Sequence, residues 1–143
     1  LNINYYRLMS CILNAQQCNI VFRISFLSLA TSFYASYNGF YDLALCPGGV
    51  FLTSINYWRK PDYSWRRYLD MAYVKLAMSY QLYRAYKSQY MAQYYILMVF
   101  AICFYQLGIY YYKKNKYWES TYAHCSLHII SNIANVVLYS GRV

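Results

Sequence analysis

His124 and His128 are the only two histidines in this 143-residue chain, and they stand four residues apart in a long apolar stretch, residues 118–139. On a helix, positions i and i+4 project from one face, so both imidazoles can reach one metal ion. Ionisable groups inside apolar spans are uncommon and often functional. Ser54 and Asp70 add a hydroxyl and a carboxylate at what should be the same depth. Zinc accepts His124 and His128 as nitrogen ligands and Asp70 as an oxygen ligand or base, and three protein ligands plus water lower that water's pKa toward neutrality for hydrolysis. The same residues also read as interhelical hydrogen bonding, in which Asp70 pairs with a histidine or with Arg66 or Arg67 and holds helices together.

Other chemistry is excluded more simply. Two histidines on one helix cannot clamp a haem from opposite faces, and a membrane desaturase needs several further histidine boxes. Cys125 points about 100° away from His124 around the helix and is not counted as a ligand. Lys75 and Arg23 are expected to snorkel toward an interface. The five cysteines, Cys11, Cys18, Cys46, Cys103 and Cys125, form no CxxC motif and are odd in number, so buried thiols are expected and a disulfide framework is not.

The elements that must position this set follow from composition. Hydrophobic residues make up 60% of the chain and charged residues 12%, the latter about half the usual soluble share. Lipid is the solvent that suits this balance. The mean hydropathy of +0.14 is held down by 22 tyrosines, whose half-apolar rings suit a membrane interface. A net charge of +9 raises the question of nucleic acid, because cations neutralise phosphates and aromatics stack on bases. The cations cluster instead in two short connections, residues 59–67 and 113–116, as a topology signal would. No nucleic-acid partner is expected.

The expected fold is an all-α, multi-pass transmembrane helical bundle forming a single domain over residues 1–143. About five spans can be drawn, at 18–37, 41–58, 67–85, 91–112 and 118–139, each near the roughly 20 residues that a bilayer requires. Cys46-Pro47-Gly48-Gly49 should kink or break the second. Residues 1–17 are read as an interfacial stretch or the end of a lost helix, and no signal peptide is expected. Alternating spans bring Arg59, Lys60, Arg66, Arg67, Lys113, Lys114, Lys116 and Arg7 to one side, leaving Arg84, Lys87 and Arg142 on the other. The positive-inside rule then puts the N-terminus in the cytoplasm and the C-terminus on the opposite side. On the last span, Thr121, His124, His128, Ser131 or Asn132, and Asn135 should face the bundle, while Ala123, Leu127, Ile130, Ala134 and Val137 face lipid.

With these residues in place the chain resembles the CREST superfamily of membrane proteins, which includes the alkaline ceramidases and the PAQR (adiponectin-type) receptors. Members look like seven-helix bundles with zinc held by SxxxH, an aspartate on the next helix and HxxxH on the last. Ser54 begins such a motif, Asp70 follows, and His124-Cys125-Ser126-Leu127-His128 closes it. The resemblance covers residues 51–139 and rests on four positions. It implies a zinc-dependent hydrolase of lipid amide or ester bonds. Its metal would be held by His124, His128 and Asp70, Asp70 would orient or deprotonate water, and Ser54 would donate a hydrogen bond to the oxyanion. Trp58 stands where the pattern has its third histidine, and two helices are absent between Asp70 and His124, so the five spans also read as a fragment of a seven-helix bundle. The competing expectation is a non-catalytic structural or accessory membrane subunit that keeps the fold without the metal.

Overall fold

The structure, a computed structural model, describes residues 13–143. Arg7, Cys11 and most of the expected interfacial stretch lie outside the described residues. The described residues form six helical segments and no strand: α1 (Ala15–Ile24), α2 (Phe26–Tyr37), α3 (Tyr41–Trp58), α4 (Trp65–Ala85), α5 (Met91–Lys113) and α6 (Tyr117–Tyr139). At Ser25 the backbone stays right-handed, its N–H reaches the Val21 carbonyl at 3.2 Å and its hydroxyl reaches the same oxygen at 2.9 Å. α1 and α2 therefore run on as one rod, and the six segments make five rods. Two of these, Ala15–Tyr37 and Met91–Lys113, are long and apolar enough to cross a membrane.

Local chemistry explains where the helices begin and continue. α1 starts three residues ahead of the expected span because Asn14 and Gln17 cap it reciprocally: Asn14 Oδ1 accepts from the Gln17 N–H at 2.8 Å and Gln17 Oε1 from the Asn14 N–H at 3.0 Å. That exchange satisfies two N–H groups that a helix start otherwise leaves without partners. α3 corrects the expected break at Pro47, since it is helical throughout. Around the proline the Ser32 hydroxyl donates to the Ala44 carbonyl at 2.7 Å, and the Tyr73 hydroxyl to the Leu45 carbonyl at 2.9 Å. Gly48 and Gly49 make room for both donors: a Cβ at position 48 would stand 2.8 Å from Ser32 Oγ, and one at position 49 would overlap the Tyr73 ring.

α5 and α6 form an antiparallel hairpin and share the most extensive interface in the molecule. Its turn places Asn115 in the left-handed region, φ +59°, which asparagine tolerates better than most residues. Small residues allow the close approach. Gly108 lies against Ala123, the Ser120 hydroxyl donates to the Gly108 carbonyl at 2.9 Å, and Ala134 is fully buried in a cluster with Tyr94 and Met98.

This packing corrects the expected lipid-facing row of α6. Ala123 and Ala134 are buried, and the exposed row is Tyr122, Ile129, Ile133 and Val136. The reason is that α6 has neighbours on two flanks, α5 on one and the α1–α2 rod on the other, so its alanines serve helix approach rather than an outer face. The polar row Thr121, His128, Asn132 and Asn135 is buried as expected. α4 packs along α3 but touches α5 little.

Candidate functional site

Ser54, Asp70, His124 and His128 all line one cavity of about 370 Å³ between α3, α4, α5 and α6. From His124 to Asn135 it follows α6 for about 16 Å, at 1.5 Å of rise per residue. Ser54, Asp70 and the histidines make one polar stretch of its wall and Gln81, Asn132 and Asn135 another; Met71, Val74, Met78, Met98 and Ile102 supply much of the rest. Lys75 also contributes to the lining.

Asp70 sits in the second turn of α4, where it faces the C-terminal half of α3. Its Oδ1 accepts two hydrogen bonds, from Thr53 Oγ1 at 2.7 Å and from Ser54 Oγ at 2.9 Å. Two hydroxyls on one carboxylate oxygen fix its orientation and leave Oδ2 without a hydrogen-bond partner among the described residues. The expected pairing with Arg66 or Arg67 does not form. Arg66 is held by Asp62 at 2.8 Å and by the Lys60 carbonyl at 2.8 Å, and the Arg67 guanidinium lies over the Tyr63 ring, 5.1 Å from its centroid. Ser54 is 1% exposed and donates its hydrogen bond to Asp70, so here it acts as a support for the carboxylate. Thr53, the second support, has no counterpart in the motif pattern. A hydroxyl one residue ahead of Ser54 carries no signal of its own until the helix pair is assembled.

The histidines meet each other. His124 Nε2 and His128 Nε2 are 3.2 Å apart, with the rings edge to face. Two nitrogens bound to a tetrahedral zinc at its usual bond length lie about 3.3 Å apart, so the pair fits two ligand positions of such an ion. The same separation suits a hydrogen bond in which one ring donates and the other accepts. Among the described residues, no group of three or more His, Cys, Asp or Glu side chains converges on a common point. Trp58, where the motif has its third histidine, packs its ring 5.5 Å from that of His124.

Below the histidines a polar network locks α6 to its neighbours. Asn132 donates to the His128 carbonyl at 2.7 Å and to Ser28 Oγ at 3.3 Å, and its own carbonyl accepts from Thr31 Oγ1 at 2.7 Å. Gln81 of α4 reaches Asn135 at 3.1 Å and also bonds the Tyr139 hydroxyl. The sequence places Asn132 and Asn135 on the polar row, whereas Gln81 and Thr31 enter only through the three-dimensional contacts. No family model, curated protein or solved structure matches the chain.

Proposed function

We propose that the chain is a multi-pass membrane protein of about five spans that draws a lipid into its cavity and hydrolyses an amide or ester bond there, with zinc held by His124 and His128. The observation that carries this reading is one cavity whose wall includes Ser54, Asp70 and both histidines and is apolar along much of its length. A lipid is the molecule whose head and chain match such a wall. Large apolar side chains on the outside support the membrane setting: Phe33, Leu45, Leu52, Leu76 and Val99 are each at least 60% exposed. Of the most apolar window of α5, only 22% is buried, which sets it apart from the core helix of a soluble protein. Exposed apolar surface of this kind is rare on soluble monomers.

In this reading zinc supplies Lewis acidity and makes water easier to deprotonate. The chain's own residues do the rest. Asp70 takes a proton from the attacking water at Oδ2 and returns it to the amine or alkoxide that leaves as the acyl C–N or C–O bond breaks, Thr53 and Ser54 hold the carboxylate in place, and the apolar wall keeps bulk water from the scissile bond. Asp70 thus has the catalytic role and Ser54 a supporting one. Purified full-length chain in detergent is expected to release fatty acid from a long-chain amide or ester when loaded with zinc, and to stop when a chelator is added. Absence of both zinc and turnover overturns the proposal.

A non-catalytic accessory role is the second reading, favoured by Trp58 packing against His124 in the position where the motif has a histidine. In that case the polar groups act as interhelical ties.

The topology has its own expected result. Tyr63 of the α3–α4 connection lies beside Tyr112 near the end of α5, which supports both basic connections lying on one side. Cysteine-accessibility mapping in sealed vesicles is expected to label positions 113–116 from the cytoplasmic side and position 142 from the other. Labelling of both from one side removes the five-span arrangement.

A further inference from the structure

We infer that the basic mouth formed by the α3–α4 and α5–α6 connections binds the phosphate-bearing headgroup of an anionic membrane lipid. The inference rests on the membrane reading above but not on zinc or on hydrolysis. Its basis is how the cations are placed and how few are neutralised. Arg59, Lys60, Arg67, Lys113, Lys114 and Lys116 lie on these two connections and their helix ends, and none has an ion-pair partner among the described residues.

Two of the chain's four acids lie elsewhere, and the two at this end leave most of its cations unneutralised. Asp42 is paired with Arg84 at the opposite end of the molecule, and Asp70 lies in the cavity. Asp62 is committed to Arg66 at 2.8 Å. Hydrogen bonds from Ser64 and then Arg66 hold its carboxyl below the usual range, so it stays ionised and tied to that pair. Glu119 is exposed in the first turn of α6 and is in no ion pair among the described residues.

Topology requires cations on this side, but it does not require the two connections to be adjacent. Tyr63 of one lies beside Tyr112 at the edge of the other, with Tyr117 packed 5.3 Å from Tyr112. Arg67 lies over Tyr63, Lys114 over Tyr110 and Lys116 over Tyr111. Aromatic rings at headgroup depth, carrying cations on their faces, form a surface that a phosphate can approach while its acyl chains stay in the bilayer. Clusters of this size beside membrane helices attract anionic lipid, at about fivefold in affinity per cation.

The test uses the full chain in nanodiscs of phosphatidylcholine doped with a fluorescent phosphatidylinositol phosphate, read by energy transfer from Trp65 and Trp118. Enrichment around the protein is expected relative to a zwitterionic fluorescent lipid, falling as salt rises. The triple variant Lys113→Gln/Lys114→Gln/Lys116→Gln is expected to lose on the order of a hundredfold in apparent affinity. The control Lys87→Gln/Arg142→Gln, at the other end, should lose little. These side chains are exposed, and circular dichroism should show unchanged helix content in both variants. Equal loss in the control, no preference over the zwitterionic lipid, or displacement by inorganic phosphate or a short RNA at equal charge concentration overturns the inference. Zinc content and topology mapping are read independently of this result, so failure here is distinguishable from failure of the hydrolase or membrane reading.

Discussion

Replacing His128 with alanine is expected to abolish bound zinc in protein purified without chelator and measured by elemental analysis. The expectation follows from the small number of available donors. His124 and His128 present their Nε2 atoms 3.2 Å apart, a separation that spans two positions of one tetrahedral ion. No third His, Cys, Asp or Glu joins them in a converged group among the described residues. A site with two nitrogens cannot spare one, so the loss should be near complete rather than partial. An interhelical tie responds differently, because polar pairs in membranes average only about 0.6 kcal/mol in double-mutant cycles. Trp58→His is the complementary variant. The Trp58 ring already stands 5.5 Å from that of His124, so an imidazole on the same turn should raise zinc affinity by at least tenfold. A wild type without metal, together with a Trp58→His variant that gains none, would sink the hydrolase proposal and leave the accessory role.

Ala134→Leu is expected to cost about 1–3 kcal/mol, the usual penalty for forcing extra methylenes into a packed core. Ala134 is fully buried between α6 and α5, beside Tyr94, Met98 and Leu138, and there is no outward path for a longer side chain. The neighbouring Ile133 is 49% exposed, so Ile133→Leu should change stability by less than about 0.5 kcal/mol. Unfolding in mixed detergent micelles, followed by circular dichroism, compares the two. Equal sensitivity at both positions would mean that α6 is rotated from the orientation described.

The rows that carry polar residues were legible in the sequence, and those that carry alanine were not. A histidine or asparagine in an apolar stretch has one economical place, the interior, so the row from Thr121 to Asn135 could be read from spacing. Alanine is at home against lipid or against another helix, and only the hairpin geometry with Gly108 shows that Ala123 and Ala134 face α5. Pro47 misled for a related reason. Its effect on α3 depends on hydroxyl donors from Ser32 and Tyr73, which lie on other helices and are silent in the local sequence. Helix existence and order followed from apolar length, whereas the start of α1 depended on the Asn14–Gln17 exchange. At the site, Ser54 and Asp70 stood out as candidates by their expected depth and Thr53 did not, because a second hydroxyl matters only once α4 is laid against α3.

The slender contact between α4 and α5 divides the working parts. Asp70 and its two hydroxyl supports travel with α3 and α4, whereas His124 and His128 travel with the α5–α6 hairpin. α4 is moored to α6 through Gln81, at the end of the helix far from Asp70. Near the site the two sets are joined by apolar contact: Trp58 of α3 packs on His124, and Val21, Tyr57, Trp58 and Cys125 form one cluster. A slight sliding at that contact would change the span between carboxylate and imidazoles while the Thr53 and Ser54 bonds to Asp70 stay intact. Helix displacements of this sort belong to the microsecond-to-millisecond range, which makes the carboxylate–imidazole distance a quantity that breathing can tune.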